Sequence, residues 1–193
     1  MKENNYIVLV NKNNLLDKDY KPKNLVIINE PTGQKLDNSY INMLDKLVYE
    51  KFKIMQSDAL KEGYEIFIDS SYRSYEYQQI IFNDNVKKYG YEYACKYVAI
   101  PGSSEHQTGF SIDIIIRQDG KMIENFNDDE PEIKWLIKNS YKYGFILRYP
   151  KGKEKITEYN YEPWHYRYVG IKVATNIYKN NITLEEYHES INN

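Results

Sequence analysis

The chain holds three histidines, and two of them stand among residues suited to metal chemistry. His106 lies in "SSEHQTGFSID", with Asp113 seven residues further on inside an apolar run. His165 lies in "YEPWHYRYVG", with Glu162 three residues before it. A catalytic zinc typically takes three His, Asp or Glu ligands and keeps one position open for water. His106, Asp113 and His165 would supply the protein's share. Two neutral imidazoles and one carboxylate leave such a site net positive, so the ion stays a strong Lewis acid, and a bound water would have its pKa lowered towards ~7. Glu162 is placed to take that water's proton and hand it to a leaving amine. Arg73, in "IDSSYRS", cannot deprotonate and could steady an oxyanion or hold a substrate carboxylate. Gln78 and Ser104 are polar candidates for substrate contacts. The third histidine, His188 in "EEYHES", reads as a solvated helix residue.

Each of these residues alone has a plainer reading: a packed histidine, a surface carboxylate, a structural ion pair. Asp113 alone could cap or close a turn, but burying it unpaired within "SIDIII" would be costly, which favours a cation beside it.

These side chains need elements to position them. Period-two alternation puts Ser111, Asp113 and Ile115 on one face of a strand and Ile112, Ile114 and Ile116 on the other, so the isoleucines anchor while the carboxylate faces the site. Gly109 lets the chain bend between His106 and Asp113. Asp119 and Gly120 supply the positive-φ positions of a tight hairpin turn. Pro163 places Glu162 on a loop entering a strand over Trp164 to Val169, with Trp164, Tyr166 and Tyr168 opposite His165 and Arg167.

Elsewhere, Tyr6 to Val10 and Leu25 to Ile28 read as short extended segments, and Pro31, Thr32 and Gly33 as a break. Apolar residues at spacings of three and four predict a helix from Ser39 to about Leu60, ended by Gly63. A strand over Tyr64 to Asp69 precedes helices at Tyr75 to Tyr89 and Tyr91 to Val98. Glu132 to Tyr143 reads as a helix and Phe145 to Tyr149 as a strand. Thr183 with Glu186 makes a capping box for a terminal helix. Helices and antiparallel-looking strands mix without βαβ alternation, which is the α+β class.

A length of 193 residues suits one domain, residues 1–193, with a real core. The formal net charge of -2 gives no basic excess for nucleic acid, so a small substrate is the expected partner. No run approaches the roughly 20 apolar residues of a membrane span. The single cysteine, Cys95, and an N-terminus without a signal-peptide core read as cytoplasmic.

"SSEHQTGFSID" resembles the S-x-H-x-x-G-x-A-x-D signature of the zinc D-Ala-D-Ala peptidases, the family of VanX, VanY and VanXY, and "EPWHYRYVG" resembles its E-x-x-H segment. "SYRSYEYQ", "VAIPGSSEHQTG", "YGFILRYPKGKEKIT" and "TLEEYH" look like the same family, so the likeness runs from about Leu9 to His188. It implies zinc ligation by His106, Asp113 and His165, catalysis by Glu162, transition-state stabilisation by Arg73, and a substrate site lined by Gln78 and Ser104. It also implies a small antiparallel sheet carrying one zinc ion, with helices packed against it, and VanXY-like cleavage of D-Ala-D-Ala dipeptide or pentapeptide precursors linked to glycopeptide resistance. Ser111 stands where the signature has alanine, and Ser71 where a glycine commonly precedes the Tyr-Arg pair. An endolysin-like L-Ala-D-Glu peptidase and a zinc-stabilised binding domain without turnover are the alternatives. Glu162 beside an intact ligand set argues against the second.

Overall fold

The computed structural model describes residues 6–28, 41–123 and 126–192. The expected break at Pro31, Thr32 and Gly33 and the expected helix start at Ser39 lie outside these residues. Seven strands are described: β1 (Leu25–Ile27), β2 (Met43–Asp45), β3 (Glu65–Ser70), β4 (Ser111–Gln118), β5 (Lys121–Ile123), β6 (Phe145–Leu147) and β7 (His165–Tyr168). The helices are α1 (Lys46–Lys61), α2 (Tyr75–Tyr89), α3 (Tyr91–Tyr97), α4 (Pro131–Asn139), α5 (Glu154–Thr157), α6 (Ile171–Asn180) and α7 (Leu184–Asn192). Short 3-10 turns cover Glu105–Thr108 and Ser140–Tyr143. Helices mixed with an antiparallel sheet make this an α+β fold.

β1 and β2 form a separate antiparallel pair, while the main sheet runs β3-β4-β7-β6, every pairing antiparallel. The long strand β4 organises it. β3 pairs along one edge of β4 from Arg117 to Asp113; β7 takes Ser111 to Asp113 on the other, and β5 takes Ile116 to Gln118. The β4–β5 turn has Asp119 at φ 50 and Gly120 at φ 75, the positive-φ pair of a tight hairpin.

Alternation along β4 divides two environments. Ile112, Ile114 and Ile116 enter the main core with Val48, Phe52, Met55 and Ala59 of α1, Ile66 and Ile68 of β3 and Leu136 of α4. Ser111 and Asp113 project from the opposite face. Ile146, Val169, Ala174, Ile177 and Leu184 form a second cluster under α6 and α7.

Several boundaries differ from the sequence reading. α1 starts at Lys46 because Met43 to Asp45 pair with β1, and the Asp45 carboxylate then caps the helix by accepting from the Leu47 and Val48 amides. The chain from Tyr6 to Val10 is not a strand. The helix expected through Tyr143 leaves α geometry at Ser140, and the strand expected through Tyr149 ends at Leu147. Trp164 precedes β7, 37% exposed, so it does not share the buried face of Tyr166 and Tyr168. His188 is half-buried, its Nε2 hydrogen-bonded to the Ile7 carbonyl. The capping box forms as read: the Thr183 amide donates to Glu186 at 2.7 Å and the Glu186 amide to Thr183 Oγ1 at 3.2 Å.

Gly109 carries the chain from the turn bearing His106 into β4. Its φ of 71 lies in the left-handed region, and an added Cβ would meet Leu25 Cδ2 at 2.9 Å. Gly109→Ala should therefore cost about 1–2 kcal/mol, lowering the thermal midpoint by about 3–6 °C. Gly120→Ala, with nothing within 4 Å of its Cβ, should cost less in the same melting series.

Candidate active site

His106, Asp113 and His165 come together through two local devices. Asp113 on β4 and His165 on β7 are direct antiparallel partners, so both side chains leave the sheet on the same side. His106 sits in the 3-10 turn that Gly109 closes, its ring 5.0 Å from that of His165. One ligand atom from each of the three lies within 4.8 Å of the others.

Hydrogen bonding shows which imidazole atoms face the centre. His106 Nδ1 is 2.6 Å from the Ser71 carbonyl, which can only accept, so Nδ1 carries the proton and Nε2 the lone pair. That buried Nε2 lies 3.3 Å from Asp113 Oδ2 yet makes no hydrogen bond of acceptable geometry. A lone pair facing a carboxylate oxygen in a dry site is unfavourable unless a cation lies between them. His165 turns Nδ1 to Asp113 Oδ1 at 2.9 Å and Nε2 to Glu105 Oε2 at 3.4 Å. Tyr149 stacks on its ring at 5.0 Å.

The protonation tendencies show the same demand for positive charge. Burial, reinforced by Arg73, pushes His106 down to about 4, so it is neutral at physiological pH. Burial alone would lower His165, but hydrogen bonds to Asp113 and Glu105 outweigh it and raise the ring to about 9. Burial would raise Asp113, yet the two imidazoles hold it well below the usual carboxylate range. An anionic oxygen, a neutral imidazole and a second imidazole that seeks a proton are a donor set that suits a divalent metal such as zinc.

Other sequence candidates line the same cleft, a cavity of about 230 Å³. Glu162 approaches from the turn before β7, with its amide bonded to the Tyr149 carbonyl. Its carboxyl is pushed up to about 7, mainly by burial, with the nearby Asp113 charge adding to the effect and His165 and Arg73 opposing it. Arg73 follows β3 and reaches Asp113 Oδ2 at 3.5 Å. Ser104 lines the wall immediately before the 3-10 turn. Gln78, on α2, also lines the cleft, but its amide is engaged: it accepts from Arg73 at 3.1 Å and donates to the Ala99 carbonyl at 2.8 Å. The polar, turn-rich composition of the segment from Asn125 to Pro131 makes it a candidate lid. Asn125 lies outside the described residues, and the described remainder leads into α4 without lining the cleft.

Sequence reading missed a buried charge cluster behind His165. Glu105 Oε1 accepts from Arg148 Nε and from an Arg167 terminal nitrogen, each at 2.8 Å, and Arg148 also pairs with Glu185 at 2.6 Å. Burial alone would raise Glu105, but the two guanidinium groups hold it below the usual carboxylate range. The available signal was the carboxylate between Ser104 and His106, together with an arginine two residues after His165.

Residues 41–171 match the family model described as VanY, D-alanyl-D-alanine carboxypeptidase. The chain is 45% identical over 189 residues to the putative carboxypeptidase YodJ of Bacillus subtilis, covering 97% of this chain and 68% of that one. It is 32% identical to the bifunctional D-Ala-D-Ala dipeptidase and carboxypeptidase VanXYC of Enterococcus gallinarum, covering 96% and 94%. It spans only 50% of a D-alanyl-D-alanine carboxypeptidase of Enterococcus faecium, at 38% identity over 83% of its own length. Among solved structures, the LdcB LD-carboxypeptidase superposes with a TM-score of 0.84 at 45% identity, covering 94% of this chain and 84% of that one. The vancomycin-resistance D,D-pentapeptidase VanY, solved with Zn(II), gives 0.74 at 34% identity, covering 95% and 98%. With its fold, its ligand cluster and its sequence in agreement, the chain belongs to the VanY family of D-alanyl-D-alanine carboxypeptidases.

Proposed function

We propose that this chain is a single-zinc carboxypeptidase that releases the terminal D-Ala of peptidoglycan stem peptides, with VanXY-like hydrolysis of D-Ala-D-Ala as an added capacity. The observation that carries the reading is the convergence of three potential ligand atoms within 4.8 Å beside Glu162 and Arg73 in one cleft. His106, Asp113 and His165 are the proposed ligands. Zinc, when bound, would acidify water and polarise the scissile carbonyl. Glu162 takes the proton of the attacking water and passes it to the departing amine of D-Ala, which its raised pKa favours for both steps. Arg73 stabilises the negative charge that develops on the carbonyl oxygen. Gln78 keeps Arg73 aimed, and Ser104 offers a polar contact to substrate.

LdcB, an LD-carboxypeptidase, has the higher identity and TM-score of the two superposed structures. That favours L,D-cleavage as a second reading. Both reactions release D-Ala and differ in the configuration of the residue before it. The proposal extends to cytoplasmic action on soluble precursors, supported by the lone Cys95, and to glycopeptide resistance. No described helix is long and apolar enough to cross a membrane. Fractionation that finds the protein outside the cell membrane would overturn the cytoplasmic part alone. Unchanged vancomycin sensitivity on expression would overturn the resistance role.

Two outcomes test the chemistry. Offered a pentapeptide ending in D-Ala-D-Ala and a tetrapeptide ending in L,D-linked D-Ala, the zinc-loaded chain should release D-Ala faster from the pentapeptide; the reverse order establishes the second reading. Glu162→Gln should reduce D-Ala release by at least about 100-fold while leaving bound zinc unchanged, and retained turnover would remove Glu162 from the mechanism.

The same residue links pH to stability. With a folded pKa of about 7 against an ordinary 4.5, Glu162 makes the folded state bind the extra proton, so its destabilising contribution grows as pH rises from 4.5 to 7 and persists above. Metal-free Glu162→Gln should therefore melt about 2–5 °C higher than the parent at pH 8 and together with it at pH 4. Equal melting at pH 8 would contradict the shift.

A further inference from the structure

Glu105 meets the proposed metal centre through His165. Its Oε1 is held by Arg148 and Arg167, each at 2.8 Å, and this leaves Oε2 facing His165 Nε2 at 3.4 Å and the Ser111 hydroxyl at 3.4 Å. All three charged side chains of this group are fully buried. A carboxylate held ionised by two guanidinium groups has only acceptor sites, so the imidazole atom facing it must carry a proton. The opposite nitrogen, Nδ1, faces Asp113 Oδ1 at 2.9 Å and so also holds a proton while no metal is bound; because Asp113 belongs to the ligand cluster and Glu105 does not, the Nδ1 proton is the one a metal would replace.

We infer that Glu105 is a positioning residue for the metal: it fixes His165 with its proton on Nε2, so that the Nδ1 lone pair is the one presented to zinc. This rests on the zinc ligation proposed above. His106 is set the opposite way, with the Ser71 carbonyl holding Nδ1–H and freeing Nε2. The two imidazoles thus offer different nitrogens to the same point, each chosen by its outer partner. Outer partners of this kind orient the ring and make the ligating nitrogen more basic.

The anchorage of Glu105 reaches further. Arg167 also donates to the Tyr6 and Val8 carbonyls at 3.1 and 2.7 Å, and Arg148 to both oxygens of Glu185 at 2.9 and 2.6 Å. The cluster that holds Glu105 therefore also ties in the N-terminal segment and α7. Two glutamates and two arginines balance in formal charge, so the cluster is self-neutralising and removing one member leaves a buried charge unmatched.

The first test uses the unaltered chain. In 15N-labelled, zinc-loaded protein, long-range imidazole spectra should show His165 protonated at Nε2, with that proton far downfield and protected from exchange. A proton on Nδ1 overturns the inference without touching the ligand set, whereas a chain that takes up no zinc overturns both. The second test titrates zinc against a chromophoric chelator. Glu105→Gln keeps the side-chain size and should weaken zinc binding about 10–100-fold, and should move the Nε2 proton upfield. Glu185→Gln perturbs the same arginine cluster one step further from His165. It should lower the melting temperature yet hold zinc affinity within about threefold and leave the His165 spectrum unmoved. A folded Glu105→Gln that binds zinc as tightly as the parent, or equal zinc losses in the two variants, would refute the positioning role.

Discussion

A carboxylate set in an isoleucine-rich strand governs this molecule. Asp113 projects from the face of β4 opposite Ile112 and Ile114, where His106, His165 and Arg73 cover most of it, and a largely buried carboxylate is tolerated only where positive charge or donors meet it. The sheet supplies both from fixed directions. β7 brings His165 directly opposite, the 3-10 turn brings His106 alongside, and the loop after β3 brings Arg73. Even so, the protein groups do not fully satisfy one another, since His106 Nε2 remains without a hydrogen bond of its own. That residual demand, held in a rigid frame, is what a metal-binding site consists of before the metal arrives.

The frame is rigid because both histidines and Arg73 have a partner behind them. Ser71 fixes His106, Glu105 and Tyr149 fix His165, and Gln78 fixes Arg73. Two of these supports are themselves anchored at a distance, Glu105 through Arg148 and Arg167, and Gln78 through the Ala99 carbonyl. A cluster of four buried charges is a poor source of stability compared with apolar packing of the same volume. Its value here is directional, because carboxylate and guanidinium groups specify where a proton sits and isoleucines cannot. Glu162 occupies the contrasting environment. It faces the cleft with no side-chain hydrogen bond among the described residues, and burial beside an anionic neighbour keeps its proton within reach of neutral pH.

Family membership narrows the chemistry without closing it. The relatives and structures that match this chain include enzymes named for D,D- and for L,D-cleavage, and the difference lies at the substrate residue before the scissile bond. Beside the proposed catalytic groups the cleft is lined by Tyr97, Val98, Ala99, Tyr149, Tyr159 and Trp164. Of these, Trp164 fills an x position of the E-x-x-H segment, and the others lie outside the segments that carry His106, Asp113, Glu162 and His165.

Much of this was legible in the residues alone. The alternation of "SIDIII" divides core from site, Asp119-Gly120 forms the hairpin turn, Thr183 and Glu186 close the terminal capping box, and the spacing of His106, Asp113, Glu162 and His165 identifies the motif residues that meet in the cleft. Such signals are local: they depend on pleat, turn geometry and capping within a few residues. Tertiary structure decided the rest. Met43 to Asp45 became a strand because β1 was there to pair with it, and Asp45 then set the helix start that periodicity had placed earlier. Gln78 turned its amide to Arg73 and Ala99, and Glu105 was drawn into a cluster with residues 43, 62 and 80 positions away. Linear sequence records that a chain owns a buried carboxylate or an arginine. Only the packed fold determines which charges must neutralise one another, because that depends on distances across the core that no spacing along the chain encodes.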